Sequence, residues 1–134
     1  MATRILVVND TAEILDMFRV VLEDEGYEVI LFSFPLRKIE DIEALHPDLI
    51  ILDLIFGGEK LGWQMLEMLR LNRSTSTIPV IVCTAAVQTI RDQEGYLASQ
   101  GVRVLYKPFD LDDLLAMIKQ ATATNKDAMK NKEP

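Results

Sequence analysis

Four apolar runs in this chain each end at a polar residue, and any fold that uses the runs must also place those residues. Ile5-Leu6-Val7-Val8 ends at Asn9-Asp10, Leu49-Ile50-Ile51-Leu52 at Asp53, Val80-Ile81-Val82-Cys83 at Thr84, and Val104-Leu105-Tyr106 at Lys107-Pro108. Short, near-continuous apolar runs of this kind are the pattern of strands buried on both faces of a parallel sheet. If the four are parallel neighbours, their carboxyl ends share one edge, and Asp10, Asp53, Thr84 and Lys107 converge there. Open parallel sheets put their functional sites along that edge.

Helical patterns separate the runs. Ile14, Phe18, Val21 and Leu22 predict a helix from Ala12 to Asp24, with Thr11 as N-cap and Gly26 as its stop. Tyr27 to Phe32 is rich in β-branched and aromatic residues and reads as a further strand. After Pro35, the spacing of Ile39, Ile42 and Leu45 predicts a short second helix. A third runs from Gly62 to Asn72 and buries Met65, Leu66 and Leu69, and a fourth runs from Gln88 to Ser99 and stops at Gly101. The last begins after Asp110 as N-cap and buries Leu111, Leu114, Leu115 and Ile118. Strands alternating with helices imply right-handed crossovers and a sheet covered on both faces. The fold class expected is α/β: a three-layer flavodoxin-like sandwich with a five-stranded parallel sheet of order 2-1-3-4-5 and five helices. Residues 3–121 form the one domain expected. Residues 122–134, where Met129 is the only large hydrophobe, form a tail that is flexible or extends the last helix.

Composition narrows the function. With 49% hydrophobic residues over 134 positions, the core needs no staple, and the single cysteine, Cys83, lies inside an apolar run and is read as core. A net charge of −7 with scattered basic residues argues against direct nucleic-acid contact, since phosphate contacts need clustered Lys and Arg. No stretch approaches the ~18 apolar residues of a membrane span. Met1-Ala2-Thr3-Arg4 enters the first strand with no signal-peptide layout, so a cytoplasmic protein without a membrane span is expected.

The segments ILVVND (5–10), PDLIILDL (47–54), PVIVCTA (79–85) and LYKPF (105–109), in this order and near this spacing, resemble the receiver domain of two-component response regulators over about residues 3–121. The resemblance implies a phospho-switch. Asp53 is then the phosphoacceptor, taking the phosphoryl group from a histidine kinase or a histidine phosphotransfer protein. Asp10 and Asp53, with the backbone carbonyl of Ile55, bind Mg²⁺, and Asn9 reaches the ion through water. Thr84 hydrogen-bonds a phosphoryl oxygen, Lys107 pairs with the phosphoryl group, and the Lys107–Pro108 bond is a candidate cis peptide. Such a chain is a signalling phosphoacceptor rather than an enzyme acting on other molecules, and it switches contacts with a downstream protein target. The chemistry agrees: carboxylates are hard oxygen ligands, Mg²⁺ takes one or two of them plus waters and phosphate oxygens, and a lysine opposite relieves their repulsion.

The chain departs from the family in four places. Asn9 stands where a second acidic residue is usual, which predicts weaker Mg²⁺ binding. Gly57 and Gly58 loosen the loop after Asp53, and Gly62 arrives one residue late. Val104 occupies the place of a swinging aromatic and cannot act as a comparable rotor, while Tyr106 lies two residues on, facing the same way. Ile55 and Ala86 hold positions that tune dephosphorylation, and neither can orient a water, so a slowly decaying aspartyl phosphate is expected.

The other conspicuous residues have plainer readings. His46 has no second ligand beside it, Trp63 is expected to pack, and Met17, Met65, Met68 and Met117 fill core. A flavin protein would need a phosphate-binding loop where Asn9-Asp10 stands, and an aspartate-nucleophile phosphatase wants a carboxylate where Ile55 stands. The leading expectation is a stand-alone receiver. The alternatives are the receiver part of a longer regulator and a pseudo-receiver that binds partners without phosphorylation.

Overall fold

The computed structural model describes residues 2–54, 60–84 and 90–132, with side chains described through residue 123. The elements are β1 (Arg4–Val8), α1 (Ala12–Asp24), β2 (Glu28–Phe32), α2 (Ile39–Leu45), β3 (Leu49–Leu52), α3 (Leu61–Leu71), β4 (Val80–Thr84), α4 (Glu94–Ser99), β5 (Val102–Tyr106) and α5 (Leu111–Lys132). The strands form one five-stranded sheet in the order β2-β1-β3-β4-β5, and every pairing is parallel. Fold class and strand order are those expected from the sequence.

The alternation of side chains along each strand divides the core into two clusters, one on each face of the sheet. Leu6, Val8, Ile50, Leu52, Val80 and Val82 meet Ile42 of α2, Met65, Leu66 and Leu69 of α3, and Leu97 of α4. Ile5, Val7, Leu49, Ile51, Ile81 and Cys83 meet Leu15, Phe18 and Leu22 of α1 and Leu114, Ile118 and Ala121 of α5. β3 and β4 are buried along their whole length, which is why their sequences are apolar at every position rather than at every second one. Gly26 and Gly101 hold positive φ of 87° and 72°, which suits the glycines read as helix stops.

Several local expectations are corrected. Thr11 occupies the N-cap of α1 but its side chain caps nothing; instead Asn9 Oδ1 accepts the Thr11 N–H at 2.9 Å and shapes the turn. The fourth helix is not continuous over the expected span: Ile90 and Arg91 are helical, a turn intervenes at Asp92–Gln93, and α4 covers Glu94–Ser99. Gln88 and Thr89 lie outside the described residues. Leu111 is 43% exposed rather than buried, because it opens α5 beyond the part of the helix that covers the sheet. The backbone of α5 runs to Lys132, through most of the segment expected to be flexible or to extend the last helix.

Candidate functional site

Register determines which residues meet at the carboxyl edge. Val8 of β1 pairs with Leu52 of β3, and Leu52 with Val82 of β4, so the residues that follow these positions line up in one row. The backbone beyond the strands is held as well: Asp53 N–H donates to Val8 O at 3.1 Å, and Asn9 N–H donates to Phe32 O at 3.1 Å. On the other side, Lys107 N–H donates to Thr84 O at 2.9 Å, and Thr84 itself pairs with Tyr106. The Lys107–Pro108 peptide is cis, as the resemblance implied.

The side chains follow this frame. Lys107 Nζ donates to Asp53 Oδ2 at 3.3 Å, joining residues 54 apart in sequence, and the two side chains are only 23% and 12% exposed. Shielding of that order makes the pair more than an ordinary surface contact. Thr84 and Asn9 are buried at 1% and 2% exposure, whereas Asp10 is exposed and accepts a hydrogen bond from the Thr11 hydroxyl at 3.3 Å. The charges of Lys107 and Asp53 both reach Cys83, whose thiol is pushed up to about 12, mainly by burial, with Lys107 opposing and Asp53 adding to the shift. Cys83 is therefore a core residue beneath the site rather than a nucleophile.

The structure thus brings Asp53 and Lys107 into contact, with Asn9-Asp10 and Thr84 on the flanking strand ends. Ile55, Gly57, Gly58 and Ala86 lie outside the described residues. Among the described residues, no group of three or more His, Cys, Asp or Glu side chains is placed to hold a metal. The carboxylates at this edge are Asp10 and Asp53, an oxygen donor set that suits Mg²⁺, which fills most of its octahedron with water and phosphate oxygens. It does not suit zinc, which wants three or four nitrogen or sulfur ligands.

Two residues matter more than the sequence suggested. Gly62 opens α3 directly against the acceptor segment: a Cβ there would lie 2.1 Å from the Asp53 carbonyl oxygen and 2.5 Å from Leu54 Cα. Its lateness in the family spacing was visible in sequence; its contact was not. Arg70 donates from Nε to Gln100 O at 2.8 Å and from Nη1 to Ile78 O at 2.9 Å, tying α3 to the end of α4 and to the turn before β4. Burial holds its guanidinium below the ordinary arginine value. No sequence pattern marks an arginine that is clamped by distant carbonyls. Trp63 packs against the core as expected, and it also lines a surface cleft. Tyr106 and Val104 lie on the same face of β5, and the Tyr106 hydroxyl donates to the Glu94 carboxylate on α4.

Comparison with known proteins agrees with this fold. The family model of the response regulator receiver domain matches residues 5–119. The chain is 30% identical over 127 residues to the DNA-binding response regulator MtrA of Mycobacterium tuberculosis, covering 95% of this chain and 54% of that protein. It is 34% identical over 119 residues to the phosphate regulon transcriptional regulatory protein PhoB of Klebsiella pneumoniae, covering 89% and 51%. The chain spans about half the length of these curated relatives. Among solved structures, a CheY-like receiver domain protein from Methanospirillum hungatei superposes with a TM-score of 0.80 at 26% identity, covering 96% of this chain and 99% of that one. No helix among the described residues is long and apolar enough to cross a membrane.

Proposed function

This chain belongs to the response regulator receiver domain family, and we propose that it accepts a phosphoryl group onto Asp53, in the presence of Mg²⁺, from a histidine kinase or a histidine phosphotransfer protein. The observation that carries the reading is the Lys107–Asp53 contact of 3.3 Å at the strand-end edge, with Asn9-Asp10 and Thr84 beside it. A carboxylate oxygen of Asp53 attacks phosphorus, the phosphorus–nitrogen bond to the donor imidazole breaks, and the imidazole leaves with the electron pair. The product is an acyl phosphate.

Phosphoryl transfer asks a protein for positioning and for neutralisation of oxygens. Backbone bonding of Asp53 to Val8 and of Lys107 to Thr84 supplies the positioning. Lys107 turns from Asp53 to the incoming phosphoryl oxygens, and the Thr84 hydroxyl donates to one of them. Asp10 and Asp53, with the Ile55 carbonyl, would hold Mg²⁺, which would offset charge on the phosphoryl oxygens. In the cell the chain acts as a cytoplasmic signalling phosphoacceptor, and a downstream protein target responds to its phosphorylated form. The test is ³¹P NMR of the chain with acetyl phosphate and Mg²⁺. The expected signal is a protein-bound acyl phosphate that hydroxylamine removes and that does not form after EDTA treatment; formation in EDTA would remove the metal from the scheme.

Asn9 modifies this scheme. Its Oδ1 already serves the Thr11 N–H, and an aspartate could keep that acceptor while adding a charge. Two unit charges about 4 Å apart at an effective dielectric of about 20 interact by about 4 kcal/mol, and the cost of desolvating a carboxylate at this buried position, together with contact through water, brings the net gain well below that. Asn9→Asp is therefore expected to tighten Mg²⁺ binding about tenfold, or about 1.4 kcal/mol. Titration of Mg²⁺ into both proteins checks it, and equal affinities would discard the charge argument.

A further inference from the structure

Charge is segregated along this molecule. Residues 2–50 carry eleven carboxylates against four lysines or arginines, whereas the described residues between 60 and 107 carry three against six. The basic sector includes a cleft of about 320 Å³ between α3 and α4, lined by Lys60, Trp63, Leu66, Glu67, Arg70, Gln93, Tyr96 and Gln100. Trp63 and Tyr96 both line it, together with Leu66. Tyr96 is 54% exposed, whereas Tyr27, Tyr106 and Trp63 are all partly buried.

The walls are held before anything binds. Arg70 on α3 grips Gln100 O at the end of α4, and Leu97 of α4 is fully buried, so the width of the slot is set by the fold. Among the described residues no carboxylate forms an ion pair with Arg70 or Lys60, which leaves two cations facing the cleft and Glu67 as its one anion. A tryptophan, a tyrosine and an arginine around a preformed slot is the composition of an interface anchor point. The cleft's own lining carries two cations against one carboxylate, a balance opposite in sign to the chain's net charge of −7 and one that favours a negatively charged occupant.

We propose that the α3–α4 cleft docks a short acidic segment of a partner protein, whose single large apolar side chain seats between Trp63 and Tyr96 while its carboxylates face Lys60 and Arg70. This surface is distinct from the Asp53–Lys107 edge and does not depend on phosphorylation.

Trp63 is the only tryptophan, so intrinsic fluorescence reports on the cleft directly. The probes are four synthetic twelve-residue peptides: Asp/Glu peptides with one central Phe or one central Leu, the same acidic peptide with Ala at the centre, and a Lys peptide with Phe. The expected result is a saturable change in Trp63 emission with the acidic Phe or Leu peptides below about 1 mM, and at least about tenfold weaker binding of the other two. Tyr96→Ala and Lys60→Glu, both at exposed positions and checked for folding by circular dichroism, should each weaken the acidic Phe peptide by about tenfold. Four outcomes overturn the proposal: no emission change with any acidic peptide, equal binding of the Ala or the Lys peptide, indifference to both substitutions, or an emission change that follows protein concentration alone. The last would make the occupant a second copy, through a segment such as Asp110–Asp113 with its exposed Leu111.

Discussion

Replacing Lys107 with methionine is expected to slow phosphorylation of Asp53 by about a hundredfold or more, the loss seen when one preorganised charge or donor is taken from an anionic transition state. Methionine keeps most of the unbranched stem and removes the charge together with the N–H donors that Lys107 gives to Asp53. In the resting protein Lys107 Nζ sits 3.3 Å from Asp53 Oδ2 in a place where both side chains are largely sheltered from water. Its removal takes this counter-charge from Asp53 and from the incoming phosphoryl oxygens. Lys107→Arg should recover part of the rate, since it restores charge but not the compact ammonium. The check is the first-order rate constant for phosphorylation at saturating acetyl phosphate and Mg²⁺. A methionine variant within threefold of the native rate would mean that Lys107 is a structural partner of Asp53 and nothing more.

Gly62→Ala should be the most damaging single-methyl addition in the described part of the chain. The new Cβ would meet the Asp53 carbonyl oxygen at 2.1 Å and the Leu54 backbone at 2.5 and 2.7 Å. These are backbone atoms, and Leu54 O also accepts the Gly62 N–H at 3.1 Å, so neither side can swing away. Either α3 lifts from the sheet or the acceptor segment moves. Overpacking of this kind costs about 3 kcal/mol, which for a chain of this size lowers Tm by roughly 10 °C. Because the clash falls on Asp53 itself, the phosphorylation rate of the surviving folded protein should drop by at least about tenfold. Gly95→Ala is the control: a Cβ there meets nothing within 4 Å, and α4 should gain up to about 1 kcal/mol from the better helix former. Thermal melts of the two variants decide the matter, and equal melting temperatures would contradict the packing at Gly62.

The strands were legible because β1, β3 and β4 are buried on both faces, and an apolar run of that length with no helical spacing has few other places in a fold. Asp53 and Lys107 were legible for the same reason: once the runs are parallel neighbours, the edge follows from topology alone. What escaped depends on contacts the sequence does not carry. Leu111 continues the apolar stripe of α5 but lies beyond the sheet it would cover. Thr11 has the chemistry of a cap, yet Asn9 reached the turn first. In sequence Asn9 is conspicuous only for the charge it lacks, whereas its buried amide oxygen also holds the entry to α1. Arg70 sits among the polar positions of an amphipathic helix, and only the distant carbonyls of Ile78 and Gln100 reveal it as a clamp.

The basic side of the molecule was hidden in the same way. A net charge of −7 describes the whole chain and conceals that the carboxylates crowd into its first fifty residues. Trp63 does pack against the core, and its other edge faces the cleft, a division of labour usual for an amphipathic ring.

Intact-mass spectrometry of the chain after incubation with acetyl phosphate and Mg²⁺ tests the central claim most directly, with Asp53→Asn treated alongside. The native chain should gain the mass of one phosphoryl group, and the Asp53→Asn chain should gain none. A native chain that stays unmodified, or a variant that gains the same mass, would contradict the assignment of Asp53 as phosphoacceptor.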